Sequence, residues 1–141
     1  MYRSQCPLAS ALDLVGDKWS MLIIRDIFWG KTTFKQFLES KEKIASNILS
    51  ARLKWLQEIG IISYVHKDNN KKVKHYYLSD KGVGLYRVQL QLVFWSDTNY
   101  DREFITLTPG FLDKNRNRPI EELAKEGMAN YLERRRRLLI P

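Results

Sequence analysis

Small polar side chains recur on one side of a helical segment in the middle of the chain. Asn47, Ser50 and Lys54 share one face at helical spacing, opposite an apolar stripe, and Ser46 flanks them. Amide, hydroxyl and ammonium groups can hydrogen-bond to base edges in the major groove of DNA. The alternative is an ordinary solvated helix face, and the spacing alone favours neither. These four residues are therefore candidate base contacts.

Cationic side chains form a second candidate set shortly after that segment. The lysines concerned are Lys67, Lys71, Lys72 and Lys74. A lysine ammonium that contacts a phosphate displaces a counterion, so this segment favours binding to a nucleic-acid backbone. Thr33 and Arg52 complete the candidate DNA-binding residues. Arg52 lies nearer the buried stripe, and it either reaches a phosphate or braces the fold.

Cys6 is the single cysteine of the chain and precedes Pro7 at the predicted start of a helix. Backbone N–H groups and the helix dipole at such a position favour a thiolate, which predicts a redox-responsive group. The alternative is a small apolar residue packed at a subunit contact. Both interpretations remain open, and a lone cysteine excludes a disulfide within the chain.

Residues for metal binding or catalysis are sparse. His66 and His75 lie on two predicted strands, but two histidines without a third ligand make a poor zinc site. The sequence contains no recognisable nucleophile–base pair, phosphate-binding glycine loop or carboxylate dyad. We therefore predict no metal, no cofactor and no enzymatic activity.

The candidate base contacts require a rigid pair of helices to present them. Thr33 followed by Gln36 is a capping-box pattern, which predicts that a short helix begins directly after Thr33. The polar run 39–43 ends it, and a 3.6-residue apolar period predicts a second helix over about 45–59. Gly60 is the residue expected just after that helix. This order is typical of helix-turn-helix proteins, whose second helix enters the major groove.

The four lysines fall on a predicted β-hairpin. Segments 61–66 and 74–78 are rich in β-branched and aromatic residues, as strands are. The segment 67–72 between them is predicted to be a polar loop with turn-prone Asp and Asn. A basic hairpin directly after a helix pair is typical of a wing that lies along phosphates.

Helices are also predicted on either side of this unit. Leu8 and Leu12 lie on the apolar face of an N-terminal helix, and a helix over about 81–97 is apolar around most of its circumference. In so small a domain, the second apolar side of the later helix is predicted to contact a partner subunit. The predicted interface residues are Leu8, Leu12, Leu90, Val93 and Phe94.

The C-terminal part of the chain gives weaker signals. Residues 101–118 show no clear period and are predicted to be loop, and Pro119 fits the first turn of a last helix. The run Arg134-Arg135-Arg136-Arg137 is either a second nucleic-acid patch or, as we favour, a set of cations that offsets the helix dipole. We predict a winged-helix and dimerisation domain over 1–100 and a helical extension over 101–141.

Composition fits a nucleic-acid partner. The 141 residues carry a net charge of +8 with a pI near 9.6, which favours a polyanion. No stretch approaches the roughly 20 apolar residues that span a membrane, and the first residues do not resemble a signal peptide. A single cysteine fits a reducing compartment, so the predicted location is the cytoplasm.

From Cys6 to about Trp95 the chain resembles the HxlR-type winged helix-turn-helix regulators of bacteria. The matching blocks are Cys6-Pro7, Ala11-Leu12, Val15-Gly16-Asp17-Lys18-Trp19-Ser20, Leu22-Ile23-Ile24-Arg25-Asp26, Gly30, Thr33-Phe34, Ile44-Ala45-Ser46-Asn47-Ile48-Leu49, Arg52-Leu53-Lys54, Leu56, Gly60-Ile61-Ile62, Tyr77-Leu78-Ser79-Asp80-Lys81-Gly82, Leu85 and Trp95. The resemblance implies a homodimeric transcription factor that represses or activates locally. In some members the cysteine at the position of Cys6 senses oxidants or electrophiles.

The predicted fold is mostly α with a small β-hairpin, a winged helix-turn-helix with flanking N- and C-terminal dimerisation helices. The predicted function is a homodimeric regulator that binds double-stranded DNA, with an oxidant or electrophile signal received at Cys6. One alternative is a regulator gated by a small ligand, with no thiol sensing. Another is a winged-helix module that works through protein contacts; the wing lysines argue against it, because such a module has no need of a cationic tip.

Overall fold

The computed structural model describes residues 3–106 and 108–141. Within them the chain is mostly helical, with one two-stranded antiparallel sheet. The elements in chain order are α1 Pro7–Val15, α2 Ser20–Phe28, α3 Phe34–Leu38, α4 Ser46–Glu58, β1 Ile62–Lys67, β2 Asn70–Leu78, α5 Asp80–Val83, α6 Tyr86–Asn99, α7 Phe111–Asn115 and α8 Ile120–Leu139.

The helix pair forms as its local signals predict. Thr33 caps α3: its hydroxyl accepts the N–H of Gln36, and the Gln36 side chain accepts the N–H of Thr33. At the end of α4, Gly60 has φ of +77° and its N–H donates to Gln57. The next N–H, of Ile61, donates to Leu56, which completes a Schellman motif. The predicted helix over 45–59 is confirmed to within one residue at each end.

The wing is a longer hairpin with a tighter turn than predicted. Strand β2 begins at Asn70, and Lys67 pairs directly with Asn70, so the predicted loop over 67–72 is wrong. The turn consists only of Asp68 and Asn69, with φ of +54° and +58°. Asp and Asn adopt positive φ at low cost, which permits the two-residue turn whose twist matches paired strands. Lys71 and Lys72 therefore lie on a strand.

The chain divides into two compact units, one ending at Gly82 and one over Val83–Ile140. In the first unit, Leu49, Leu53 and Leu56 of α4 are buried in a core that also contains Ile24 of α2 and Leu78 of β2. Burial of this one side of α4 leaves its opposite side in solvent. The backbone N–H of Tyr76 also donates to the carbonyl of Thr32 at 2.7 Å, which ties the wing to the segment before α3.

The second unit is built on the packing of α6 against α8. Leu90 of α6 is 4% exposed and packs with Leu123 and Ala124 of α8. Tyr86 lies one turn before Leu90, and a Cβ placed on Gly127 would come within 2.2 Å of its ring. Gly127 therefore permits the close approach of the two helices at that point.

Two predictions for the chain after the wing need correction. Residues 101–118 are not all loop, because α7 occupies Phe111–Asn115; a helix of five residues is too short to show a clear period. Leu90 is buried against α8 of its own chain, so it is not free to contact a partner subunit as predicted. Phe94 is partly buried beside the same cluster, and its subunit contact stays a prediction. Pro119 precedes the first residue of α8, close to its predicted place. None of the described helices is long and apolar enough to span a membrane.

Candidate nucleic-acid interface

The outward face of α4 collects the predicted base contacts. Ser46, Asn47, Ser50 and Lys54 are all exposed, on the side of α4 away from its buried leucines. The structure brings these four side chains together along about two turns of helix. Ala45 provides no side-chain cap, so the N–H groups of the first turn are not covered by a capping side chain. Such a helix start favours anionic groups such as phosphates.

Arg52 of α4 forms an ion pair with Asp17, which lies between α1 and α2. Its guanidinium lies 3.5 Å from the carboxylate of Asp17, and the side chains of both are about one-third exposed. Asp17 also accepts the backbone N–H groups of Trp19 and Ser20, so Arg52 connects α4 to the start of α2. Partial burial raises the pKa of Asp17, but the bonds from Ser20 and Trp19 and the charge of Arg52 outweigh it and lower the pKa. Of the two predicted roles of Arg52, the geometry supports bracing.

Trp55 provides a second connection from α4 to the N-terminal helices. Its indole N–H donates to the backbone carbonyl of Leu14 in α1, at 2.8 Å. The sequence places Trp55 off the main apolar stripe but gives no partner for it. The bond to Leu14 and the Arg52–Asp17 pair hold α4 against the junction of α1 and α2.

Thr33 is partly buried and caps α3 with its hydroxyl oxygen, as described above. Its accepting role leaves the hydroxyl hydrogen as the group that a phosphate would meet. Thr33 thus lies at the start of α3, outside the exposed face of α4, and its predicted DNA contact stays a prediction.

The wing carries its cations on both faces of the ribbon. Lys71, Lys72 and Lys74 are exposed along β2, and Lys67 at the turn is partly buried. Because strand side chains alternate, Lys72 and Lys74 share the face of Tyr76, and Lys71 lies on the other face. The Lys74 ammonium lies 4.6 Å from the centre of the Tyr64 ring, a cation–π contact that fixes its position.

The two histidines of the wing have separate partners. His66 Nδ1 lies 2.9 Å from the carbonyl oxygen of Val73, and His75 Nδ1 lies 2.9 Å from the hydroxyl of Thr32. In the sheet register, His75 pairs with Val65 and not with His66. The described residues contain no group of three side chains suited to a metal ion.

A charged network holds the turn between α3 and α4. The Ser40 hydroxyl in this turn donates to the buried carboxylate of Asp26, and Arg25 donates to the same carboxylate at 2.8 Å. Arg25 also donates twice to Glu42, and these bonds lower the pKa of Glu42 to about 2. Because that pKa is depressed, the stabilisation from the pair is present above the ordinary pKa of Glu and is lost as the pH falls towards 2.

Cys6 is exposed at the start of α1. Its backbone N–H donates to the Ser4 hydroxyl, and its carbonyl accepts the N–H of Ser10, so Cys6 is the N-cap residue of the helix. None of the nine residues of α1 is buried: Leu8 is 67% exposed and Leu12 is 55% exposed. Cys6 thus lies at the start of a helix whose apolar side chains are exposed.

A second uncovered apolar surface lies on α6. Val88, Leu92 and Trp95 recur at helical spacing on the side opposite Leu90, and each is about half exposed. Val93, a predicted interface residue, is also exposed. We call Val88, Leu92 and Trp95 the outer face of α6. Leu90, which was predicted to meet a partner, therefore packs within the chain, whereas Leu92 on the other apolar stripe is exposed.

The arginine run near the end of α8 is partly neutralised within the helix. Arg136 and Arg137 both bond to Glu133 one turn earlier, and Glu121 and Glu122 lie in the first turn. Acidic residues at the start of a helix and basic residues at its end complement the helix dipole. This arrangement favours a helix-stabilising role for the run.

Sequence comparisons place this arrangement among known proteins. Residues 14–104 match the profile of HxlR-like helix-turn-helix proteins. The chain is 31% identical over 98 residues to the HTH-type transcriptional regulator YodB of Bacillus subtilis, covering 69% of this chain and 88% of YodB. It is 34% identical over 87 residues to the uncharacterized HTH-type regulator Mb3122 of Mycobacterium bovis, covering 62% of this chain. The match spans about half the length of Mb3122, at 54%.

Solved structures extend the likeness to the fold. PA1607, a candidate transcription factor, superposes with a TM-score of 0.66 at 37% identity, over 74% of this chain and 75% of that one. The reduced form of YodB superposes with a TM-score of 0.58 at 30% identity, over 72% of this chain and 100% of that one. The predicted winged helix-turn-helix fold is confirmed. These relatives are named as transcription factors or regulators and not as enzymes, as predicted.

Proposed function

We propose that the chain, which belongs to the HxlR-like helix-turn-helix family of transcriptional regulators, binds duplex DNA sequence-specifically as a homodimer. The observation that carries the proposal is the exposed polar face of α4 directly before a hairpin with exposed lysines. The two elements differ in chemistry: amides and hydroxyls on α4 suit base edges, whereas ammonium groups on the wing suit phosphates. The N-terminal half of α4 enters the major groove, and the wing follows the backbone.

Changing both Lys71 and Lys72 to Ala is expected to weaken binding to specific and random duplexes alike. Each lysine that contacts a phosphate releases about one counterion, so the slope of log affinity against log salt concentration should flatten by about 1 per lysine. Fluorescence anisotropy across a salt series measures both affinity and slope. The matched control changes Lys114 and Lys125 to Ala, which removes the same charge from exposed sites in the second unit. Equal slopes for the two double variants would contradict the assignment of the wing.

The proposed homodimer rests on two uncovered apolar surfaces, α1 with Leu8 and Leu12 and the outer face of α6. Together these surfaces leave several large apolar side chains in water, an arrangement that marks an association surface. A dimer also fits helix-turn-helix proteins, which read two half-sites about one helical turn apart. Each surface is proposed to meet a second copy of the chain.

We further propose that Cys6 receives an oxidant or electrophile signal. Cys6 is exposed at the start of α1, and it lies next to the uncovered apolar side chains of that helix. The relative YodB has been solved in reduced, diamide-treated and quinone-bound forms, at 30–31% identity. The diamide-treated and quinone-bound forms of YodB support our proposal that oxidants or electrophiles are the signal for this chain.

The chemistry at Cys6 follows from its being the single cysteine. Diamide accepts two electrons and two protons from two thiols, so an S–S bond forms either between the Cys6 residues of two protomers or with a small thiol. A quinone instead adds to the thiolate through a new C–S bond and takes up the proton as it becomes a hydroquinone. Either product places a covalent link or a bulky group beside the proposed subunit contact.

Treatment with diamide or a quinone is expected to change operator affinity of the wild type by a factor of about 5–150, the usual range for coupled sites. The Cys6→Ser variant should bind the operator like the untreated wild type and should not respond. Mass spectrometry of the treated protein identifies the adduct or the disulfide. If wild type and Cys6→Ser respond alike, Cys6 is structural and a bound small ligand becomes the better explanation of the signal.

A further inference from the structure

An apolar residue lies in the middle of the otherwise polar outward face of α4. Ala51 is exposed one turn after Asn47 and three residues before Lys54. Ile48, three residues before Ala51 and therefore its neighbour on the helix surface, is also exposed, at 36%. Two apolar side chains thus adjoin the amide and ammonium groups that are proposed to face DNA.

Packing within the unit does not account for Ala51. The core side of α4 consists of Leu49, Leu53 and Leu56, and Ala51 points away from it by about half a turn. The Ala51 side chain therefore meets water in the free protein and meets the major groove when α4 is bound there. Its methyl group is small, so it leaves room for a base edge to approach the helix closely.

We propose that Ala51, with Ile48 beside it, selects a thymine by contact with the thymine 5-methyl group. This inference rests on the proposed DNA binding of α4 and deepens it. Thymine is the one base that presents a methyl group in the major groove, and apolar side chains such as that of alanine recognise it there. Asn47 supplies the complementary chemistry, because an amide can bond to adenine at N6 and N7.

Helix geometry limits how far apart the two contacts lie. Four residues separate Asn47 from Ala51, which is a rise of about 6 Å at about 1.5 Å per residue. Base pairs are spaced by about 3.4 Å, so the thymine read by Ala51 lies within about two base pairs of the position read by Asn47. The preferred half-site therefore contains a thymine close to the Asn47 position.

The test removes one methyl group at a time from the DNA. Preferred sites are first selected from random duplexes with the purified full chain, and each thymine is then replaced by deoxyuridine, which lacks only the 5-methyl group. At one thymine of each half-site, the replacement should weaken wild-type binding about fourfold. That ratio corresponds to about 0.8 kcal/mol at 1.4 kcal/mol per tenfold, the expected size for one buried methyl group.

Protein variants assign the methyl contact to a residue. In Ala51→Ser and Ala51→Gly, the ratio of affinities for thymine and uracil duplexes should fall to about 1 at that position. Ala51→Ser retains a small side chain, so it separates lost contact from the lower helix propensity of Gly. Glu58→Gln, an exposed change on the same side of α4 seven residues later, is the matched control and should retain the fourfold ratio.

Each outcome decides between the proposals. A wild type that binds a selected site but tolerates uracil at every thymine overturns the methyl contact and leaves DNA binding intact. A fourfold ratio that persists in both Ala51 variants assigns the methyl contact to another residue and overturns the role of Ala51. Failure to select any site overturns the proposed DNA binding, and this inference with it.

Discussion

Leu92→Asp is expected to convert the protein from dimer to monomer and to weaken operator binding at least about 100-fold. Leu92 is 53% exposed in the centre of the outer face of α6, so in the proposed dimer it is covered by a second copy. An aspartate there would be buried without a partner, at a cost on the order of 3–5 kcal/mol, and every 1.4 kcal/mol is tenfold in affinity. Sedimentation velocity at micromolar concentration measures the assembly.

Leu90→Asp provides the sharpest comparison, because Leu90 lies on the same helix but faces α8. That variant is expected to unfold the packing of α6 on α8, with loss of helix signal and a lower melting temperature. Asn117→Asp, an exposed change in the same unit but after α7, is the control for added charge and should remain a dimer. If the wild type sediments as a monomer, the dimer proposal is wrong.

The helix pair was predictable because its determinants are local. The capping box at Thr33 and Gln36 acts within one turn, and Gly60 ends α4 through its own positive φ and two hydrogen bonds to the last turn. The apolar period of α4 alone separates the buried leucines from Asn47, Ser50 and Lys54. None of these features depends on a distant part of the chain.

A hairpin could be predicted from the sequence, but the position of its turn could not. A change of hydrophobic period marks a hairpin, but lysines on a two-sided polar strand carry no pattern that shows where the strand begins. Asp68 and Asn69 tolerate positive φ, and that pair alone makes the turn. The dipeptide was the available signal, since Asp and Asn are favoured in two-residue turns.

The sequence of α6 alone does not show which of its two apolar sides packs within the chain. Both stripes have similar residues, and the side that is buried depends on α8, which lies far along the chain. One signal was present: Gly127 sits within a helical pattern, and an isolated glycine there often marks a close approach. Tyr86 fills that space, and Leu90 follows Tyr86 by one turn.

The partners of Arg52 and Trp55 could not be predicted from the sequence either. Asp17 and the carbonyl of Leu14 lie more than thirty positions earlier in the sequence, and the fold alone brings them to α4. The exposure of Ala51 follows from the same helix phase that marks Asn47, but an alanine gives no chemical signal until its neighbours on the surface are known. Sequence periodicity thus predicts which side of α4 is exposed. Tertiary packing decides which side chains of α4 are already bonded to other parts of the chain.

Asp26 ties α2 to the turn of the helix pair, and Asp26→Ala is expected to reduce the free energy of unfolding by about 3 kcal/mol. Asp26 is 2% exposed and accepts bonds from Ser40 and Arg25, with the Lys31 ammonium 3.7 Å away. Alanine would leave a buried hydroxyl and partly buried cations without this acceptor, and removing one member of a buried charged network typically costs 3–5 kcal/mol. Urea unfolding at neutral pH measures the loss.

The matched control is Asp13→Ala, which removes a carboxylate that also pairs with an arginine, Arg3, but at the surface. Solvent screens an exposed ion pair, so this variant should unfold almost like the wild type. Adding Ser40→Ala to Asp26→Ala should then cost less than Ser40→Ala alone, because the two residues share one hydrogen bond. An Asp26→Ala variant as stable as Asp13→Ala would show that the turn before α4 is held by other contacts. In that case the orientation of α4 would depend instead on the bonds of Arg52 and Trp55.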